Sequence, residues 1–329
     1  MAGAGFLHLH NHSEYSLLDG AFRIKDLVST AVDMRMGAVA LTDHGNLFGA
    51  IPFFRAAKAA GIKPIIGMET YISRAGHKQK TAARGQARNE HLVLLAKNET
   101  GYRNLLELSS IAYTEGFYYK PRIDLELLEE RADGLIGLSA CLQGSIPRLL
   151  RDGRRDEAAK LAKRMASIFA PGDFYIELQN HGIPEEDRIR ERACDLSRET
   201  GIPLIATNDC HYLKQGDHEA HEVLLCVQTG TTMDDPNRMR MGGDDFYLTS
   251  GQEMAQLFTD LPQALENTER IAAACSLELG NEGFHLPAFE IPQGLTAQSF
   301  LRQLCEEGIK RRYSLITPQI RERLDHELK

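Results

Sequence analysis

The chain has 329 residues, 43% hydrophobic and 26% charged, an ordinary balance for a globular protein with room for one large α/β barrel and a small remainder. With 38 basic and 46 acidic side chains the formal charge is −8, which excludes a generally basic coat for nucleic acid. It does not exclude an enzyme acting on nucleic acid, because carboxylates that ligate metal count as negative until ions bind.

Six cysteines (Cys141, Cys194, Cys210, Cys226, Cys275 and Cys305) form no C-x-x-C pair and predict reduced thiols in a cytoplasmic protein. No run approaches the roughly 18 apolar residues of a membrane span, and no signal peptide is expected. Short apolar runs predict strands at 6–10, 38–42, 64–72, 91–96, 135–139, 174–178 and 203–207. Helical patterns fill most intervals. Residues 24–36 carry a stripe of Leu27, Val28, Ala31, Val32 and Met36, and 47–60 is alanine-rich and stops at Gly61. Further helices are expected at 102–113, 158–169, 187–200 and 218–229. Such alternation predicts a mostly parallel sheet. With no Gly-rich phosphate turn after the first strand, a closed barrel is favoured over an open dinucleotide-binding sheet.

Residues 74–88 break the rhythm. They hold Arg74, His77, Lys78, Lys80, Arg84 and Arg88 without an acid, and are expected as a hairpin or mobile loop. The segment reads either as solvated surface or as a contact for a phosphate backbone. The barrel is expected over 1–275. Beyond it, 280–294 is Gly/Pro-rich and reads as a linker, a helix follows at 297–313, and another starts with Thr317 as N-cap and Pro318 behind it. The sequence stops inside that helix, so the expectation is a piece of a longer polypeptide.

Potential ligands sit at the ends of the strand runs: His8-x-His10, Asp43-His44, Glu69, His91, Cys141, Glu177 and Asp209-x-His211. In a strand, residues i and i+2 project together, so each spaced pair can share one ion. Barrel enzymes carry their sites at the C-terminal mouth of the strands, which gathers these residues into one expected site. Mixed nitrogen, oxygen and sulfur donors favour zinc or a similar transition ion over magnesium. Nine groups (His8, His10, Asp19, His44, Glu69, His91, Cys141, Asp209 and His211) are too many for one tetrahedral ion and suit two or three sharing a carboxylate. Such a cluster suits phosphoester hydrolysis. His12 is expected to support the mouth rather than ligate. Glu177 and His181 read as structural or substrate-contacting, His218 and His221 as one helix face, and Asp244-Asp245 as non-catalytic. Tyr118, Tyr119, Lys120 and Arg122, with Lys78, Lys80 and Arg84, are candidates for gripping DNA by stacking and phosphate contact. Packing of a loop under the mouth is the alternative for the first four.

These residues resemble the polymerase and histidinol phosphatase (PHP) family: His-x-His near the N-terminus, Thr42-Asp43-His44-Gly45, Gly67-x-Glu69 and a late Asp-x-His. The strings FLHLHNHSEYSLLDGAFRI, ALTDHGNLFGA, GFYYKPRIDLELL, SACLQGSIP, ATNDCHYL, EAHEVLLCVQTG and RMGGDDFYLTS are similar to the N-terminal PHP domain of bacterial DNA polymerase III alpha subunits, over nearly the whole chain. The resemblance implies a distorted (βα)7 barrel with three divalent ions, zinc, manganese or iron. His8, His10, Glu69 and Asp209 would hold one ion, Glu69, His91 and Cys141 a second, and Asp19, His44 and His211 a third. It implies 3′–5′ exonuclease action on DNA ends, with Glu69, Asp209 and His10 at its heart. The alternatives are a silent, metal-stabilised scaffold that docks a separate proofreading subunit, and a small-molecule phosphatase. Residues 276–329 would begin the polymerase palm. The synthetic active site, the rest of the alpha subunit and the sliding clamp would lie outside this stretch.

Overall fold

The computed structural model describes residues 5–80, 89–280, 283 and 286–329. They divide into two compact units, Met1–Leu279 and Gly280–Lys329.

The first unit is a curled, mixed α/β sheet. In chain order its strands are β1 (Ala38–Leu41), β2 (Lys63–Ile72), β3 (Glu90–Ala96), β4 (Arg122–Ile123), β5 (Leu135–Leu138), β6 (Phe174–Leu178) and β7 (Leu204–Ala206). They neighbour one another as β1-β2-β3-β5-β6-β7, with β4 paired to the end of β2. Residues of β1, β5 and β6 are buried throughout, which is why these segments read as continuous apolar runs rather than alternating ones. Helices cover the outside. They are α1 (Ile24–Asp33), α2 (Ala50–Ala59), α3 (Glu99–Thr114), α4 (Leu125–Glu130), α5 (Ser145–Arg151), α6 (Arg155–Ile168), α7 (Pro184–Thr200), α8 (His218–Thr229), α9 (Gly251–Leu257) and α10 (Pro262–Ala274). Local chemistry sets their ends. Asn98 caps α3 by accepting from the Gly101 N–H, and Pro184 with three acids opens α7. Gly201, at φ 73°, closes α7 where a Cβ would be strained.

Two features depart from the sequence expectation. First, β3 runs antiparallel to both β2 and β5. The direction reverses between Ile72 and Glu90; residues 81–88 of the hairpin or loop expected over 74–88 lie outside the described residues. Second, residues 6–10 are extended and buried but join no regular ladder. They and the residues just after them are held from both sides. On one side the Ala40 N–H donates to His8 O (2.9 Å) and the Thr42 N–H to Asn11 O (3.0 Å). On the other, the Cys210 N–H donates to His10 O and the His12 N–H to Cys210 O. The Asn11 side chain interrupts regular pairing by donating to His8 O and Ala40 O. This segment therefore bridges β1 and the stretch after β7, closing the curl. The short elements β4, α4, α5 and α9 were not expected, since none carries a long periodic stripe; α10 was also not expected, although Leu265, Thr268, Ile271 and Ala272 form a buried stripe along it.

The second unit holds α11 (Ala297–Arg312) and α12 (Pro318–Glu327). Thr296 caps the first in a box with Ser299, and Thr317 caps the second by accepting from the Ile320 N–H. Arg302–Asp325 and Arg321–Glu306 ion pairs link the two helices. No helix among the described residues is long and apolar enough to cross a membrane.

Candidate metal centre

Glu69, in the middle of β2, is the hub. Its carboxylate is 1% exposed and touches four imidazoles. Oε1 lies 2.9 Å from His91 Nδ1, 3.4 Å from His10 Nε2 and 3.9 Å from Cys141 Sγ. Oε2 lies 2.6 Å from His44 Nδ1 and 3.5 Å from His12 Nε2. Asp209 completes one side: its Oδ1 is 3.2 Å from His10 Nε2 and 3.1 Å from His12 Nε2. Asp19 completes the other, 3.0 Å from His44 Nε2 and 3.7 Å from His211 Nε2. Because β3 is antiparallel, His91 stands at the start of its strand and still reaches the mouth.

Eight of the nine expected groups are thus brought together. His8 is not. Its Nε2 bonds Thr249 O at 2.8 Å, its Nδ1 faces Cys210 Sγ, and its ring packs edge-on against Phe6. Burial pushes its pKa down to about 4. The converging pair is His10-x-His12, and the expectation of a merely supporting role for His12 gives way to a place at the centre. The registers differ because every residue from Phe6 to Ser13 is buried, so alternation in the sequence cannot say which face of the segment looks inward.

The tautomers prepare this site for cations. His12 Nδ1 meets Ser16 Oγ, whose own proton goes to Asp43 Oδ1, so Nδ1–H is the donor. Burial and the neighbouring His44 and His211 hold the His12 pKa down at about 3. The ring is therefore neutral, and its Nε2 presents a lone pair to two carboxylates. His211 Nδ1–H donates to Asp209 O at 2.8 Å, which likewise frees Nε2, and burial lowers its pKa. His10 Nδ1–H donates to Glu177 Oε1 at 2.7 Å. Burial opposes protonation of His10, but Asp209, Glu177 and Glu69 hold its pKa well above the ordinary value. Against the same cost of burial, imidazoles keep Glu69 and Asp209 well below the carboxylate range. Burial, with Glu69 and Asp209 nearby, pushes the Cys141 thiol well up. Asp43 is a support, bonded by Ser13 and Ser16, and burial raises it to about 6.

Apart from one another, His10 Nε2, His12 Nε2, His44 Nδ1, Glu69 Oε2 and Asp209 Oδ1 are buried without a hydrogen-bond partner among the described residues. An unpaired lone pair 3.1 Å from a carboxylate oxygen is repulsive unless a cation lies between them. The donor set of imidazole, carboxylate and thiol fits divalent transition ions, and His10, His12 and Glu69, or His44, Glu69 and His91, offer atoms all within 4.8 Å of one another.

Three residues stand behind the centre: Glu177 and His181, expected as structural or substrate-contacting residues near the mouth, and His221, expected only as part of a helix face. Glu177 holds His10. His181, stacked on Phe246, bonds Glu186 (2.7 Å) and Asn208 O (2.9 Å), and so fixes the residue before Asp209. Asp209 itself has a left-handed backbone, φ 42°. His221 of α8 is 1% exposed and faces Asp19. It stands on the buried stripe of α8 with Leu225 and Cys226, which the spacing alone reveals.

Of the residues expected to grip DNA, Tyr119 is 81% exposed, and Lys120 Nζ lies over the ring of Tyr71, which stacks on His44. Arg122 is buried instead: its guanidinium donates to Gly116 O, His77 O and Gln79 O and sits over the Tyr118 ring. The loop sequence YYKPRI ends in β4, and its arginine turns inward as structure. Lys78 pairs with Glu115 at 2.7 Å, Lys80 is exposed, and Arg84 lies outside the described residues.

A family model described as the PHP domain matches residues 8–181. The chain is 48% identical to the DNA polymerase III subunit alpha of Borreliella burgdorferi, over 98% of this chain and 28% of that protein. It is 46% identical to that of Treponema pallidum, over 100% and 28%, and 44% identical to that of Thermus aquaticus, over 94% and 26%. The chain therefore spans little more than a quarter of the length of the curated relatives it matches. A solved two-domain protein of Bacteroides vulgatus, described as containing a predicted PHP-like metal-dependent phosphoesterase, is 15% identical, over 81% of this chain and 64% of that one. Its TM-score of 0.37 is too low to bear on fold or function.

Proposed function

The chain belongs to the PHP domain family, and we propose that it is the phosphoesterase portion of a bacterial DNA polymerase III alpha subunit, removing nucleotides from DNA 3′ ends with divalent metal ions. One observation carries this reading: ring nitrogens of His10, His12 and His44 converge with the Glu69 and Asp209 carboxylates in one buried cluster, at distances that a divalent ion would bridge. His10, His12, Glu69 and Asp209 would hold one ion, Glu69, His91 and Cys141 a second, and Asp19, His44 and His211 a third. Such ions, zinc, manganese or iron, lower the pKa of a bound water and offset phosphoryl charge. Glu69 has both oxygens among ring nitrogens, which suits a shared ligand. Glu69 and Asp209 are held ionised, so they serve as anions rather than proton donors. Glu177 fixes the His10 tautomer with Nε2 inward. Tyr119 and Lys120 supply an exposed ring and cation for a DNA strand near His44.

A 5′-labelled single strand and a mismatched duplex, incubated with manganese or zinc, test this directly, with metal content measured on the same protein. Stepwise shortening that Glu69→Ala abolishes is the expected result. Bound metal without shortening would favour a second reading, a metal-stabilised scaffold for the polymerase and a separate proofreading subunit. The observation behind that second reading is the closure of the curl. Its N-terminal segment meets the stretch after β7 through few backbone bonds, and ions held by His10, His12 and Asp209 would tie the two together. On this reading, DNA synthesis and any contact with a sliding clamp would fall to parts of the alpha subunit that this chain does not span.

A further inference from the structure

Asp19 is the ligand candidate least fixed by its own surroundings. It sits in a turn rather than on a strand, follows Leu18 with its left-handed backbone (φ 61°), and is the most exposed carboxylate of the centre at 20%. Three imidazoles surround it. His44 Nε2 is 3.0 Å from Oδ2, while His211 Nε2 and His221 Nε2 are 3.7 and 3.8 Å from Oδ1. His44 and His211 have other work in the centre. His221 has none. It comes from α8, its side chain is 1% exposed, and its Nε2 is buried without a hydrogen-bond partner among the described residues. Its ring leans on His211 and Tyr212, with centroids 5.5 and 5.3 Å away, which leaves Asp19 as the carboxylate it faces.

We infer that His221 is a positioning residue of the metal centre, donating from Nε2 to Asp19 and so aiming that carboxylate at the ion it shares with His44 and His211. A buried polar nitrogen without a partner is costly, and a shift of less than 1 Å would satisfy it on Oδ1. Carboxylates that ligate metal are commonly held from behind in this way. The role explains why a histidine stands on the apolar stripe of α8, between the helix and a turn that has no strand to stiffen it. It also links α8, beyond the reach of the family match, to the centre.

This inference rests on the metal-centre reading but not on nuclease activity, so metal binding to the 329-residue chain is its readout. Zinc affinity and stoichiometry would be measured by competition with a chromogenic chelator, and cobalt(II) absorption recorded for each protein. The comparison is a cycle of the parent, His221→Leu, Asp19→Asn and the double variant. His221→Leu is expected to weaken one ion about 10- to 100-fold and to change the cobalt spectrum, with the other ions retained. In the Asp19→Asn background the same replacement is expected to cost nothing further, because its route is already gone. Should His221→Leu fail to fold, His221→Gln, which keeps an amide donor near the Nε2 position, is expected to retain most of the affinity. An undiminished loss in the Asp19→Asn background, parent-like binding by His221→Leu, or a His221→Gln protein that folds but loses the ion would overturn the inference. A parent chain that binds no zinc or cobalt would instead sink the metal-centre reading beneath it.

Discussion

Replacing Glu177 by glutamine should weaken metal binding about tenfold while leaving the fold intact. The Glu177 side chain is fully buried, and its Oε1 accepts from His10 Nδ1 (2.7 Å), Gln179 Nε2 (3.0 Å) and Thr207 Oγ1 (2.5 Å). Glutamine keeps the shape and one carbonyl oxygen, so those donors can still be met. What disappears is the charge. The His10 bond falls from a charge-assisted one, about 1.5–3 kcal/mol, to a neutral one, about 0.5–1.5 kcal/mol. The difference of about 1–1.5 kcal/mol corresponds to roughly tenfold in affinity. Part of this is offset at low pH. Glu177 is among the groups that raise the His10 pKa, so its loss also weakens the proton's competition with the metal. The full effect should therefore appear at pH 8 and shrink toward pH 6. Glu177→Ala is less informative, since three buried donors left unpaired at about 1–3 kcal/mol each threaten the fold itself. Competitive titration against a chelator at both pH values is the assay. A glutamine variant that binds as tightly as the parent at pH 8 would refute the claim that the carboxylate, rather than the shape behind His10, sets ligand strength.

Chelation should lower Tm by about 10 °C. An ion at 1,000 times its Kd adds about 4 kcal/mol, and a unit of this size shifts by about 2–4 °C per kcal/mol; an unchanged melting curve in EDTA would argue against occupied sites. Metal affinity should rise with pH, by up to about tenfold per unit for each proton displaced. The sign follows from His10, whose carboxylate neighbours outweigh burial, from His44, where Tyr71, Glu69 and Asp19 do so, and from Cys141, whose thiol burial keeps protonated: all must lose protons before they can ligate. Calorimetric titration in two buffers of different ionisation enthalpy would expose the released protons, and identical heats would count against this. His181→Leu removes the bond to Asn208 O and should weaken metal binding about tenfold through a looser Asp209, visible in the same titration. Arg122→Ala should lower Tm, because Gly116, His77 and Gln79 lose a donor, yet leave the salt dependence of DNA binding unchanged. Lys120→Ala should reduce that slope by about 1, and the reverse pattern would place Arg122 at the DNA.

Long periodic segments announced themselves. The stripe of α1 and the buried runs of β2, β3, β5 and β6 were legible because burial on a fixed face leaves a fixed spacing. So were Glu69, His91, Cys141 and the Asp209–His211 pair, since each stands in or just past such a run. The direction of β3 was not legible, because an apolar run reads the same both ways. The choice between His8 and His12 was hidden for a related reason: Leu7, Leu9 and all three histidines are buried, so the contrast that fixes a strand's register is missing. Arg122 misled because a cation in a loop-like string suggests solvent, whereas its partners are carbonyls, which leave no mark in the sequence. Glu177 was legible as a mouth residue because it ends a strand run, but which imidazole it holds was not; His221 lies behind the centre, where only three-dimensional contact shows that it faces Asp19.

The bridge between Asn11 and Cys210 has a bearing on how such a chain is made. The segment that closes the curl leaves a ribosome about 200 residues ahead of its partner. At roughly 5–20 residues per second that is a wait of about 10–40 s. During it, Phe6, Leu7 and Leu9 can pair with β1 alone, and the histidines have no Asp209 to face. The nascent barrel is open along one seam through most of its synthesis, with strand edges and apolar side chains uncovered there. Docking of the stretch after β7 is thus a late, long-range event in biogenesis, and the seam is where aggregation or chaperone capture of an incomplete chain would concentrate.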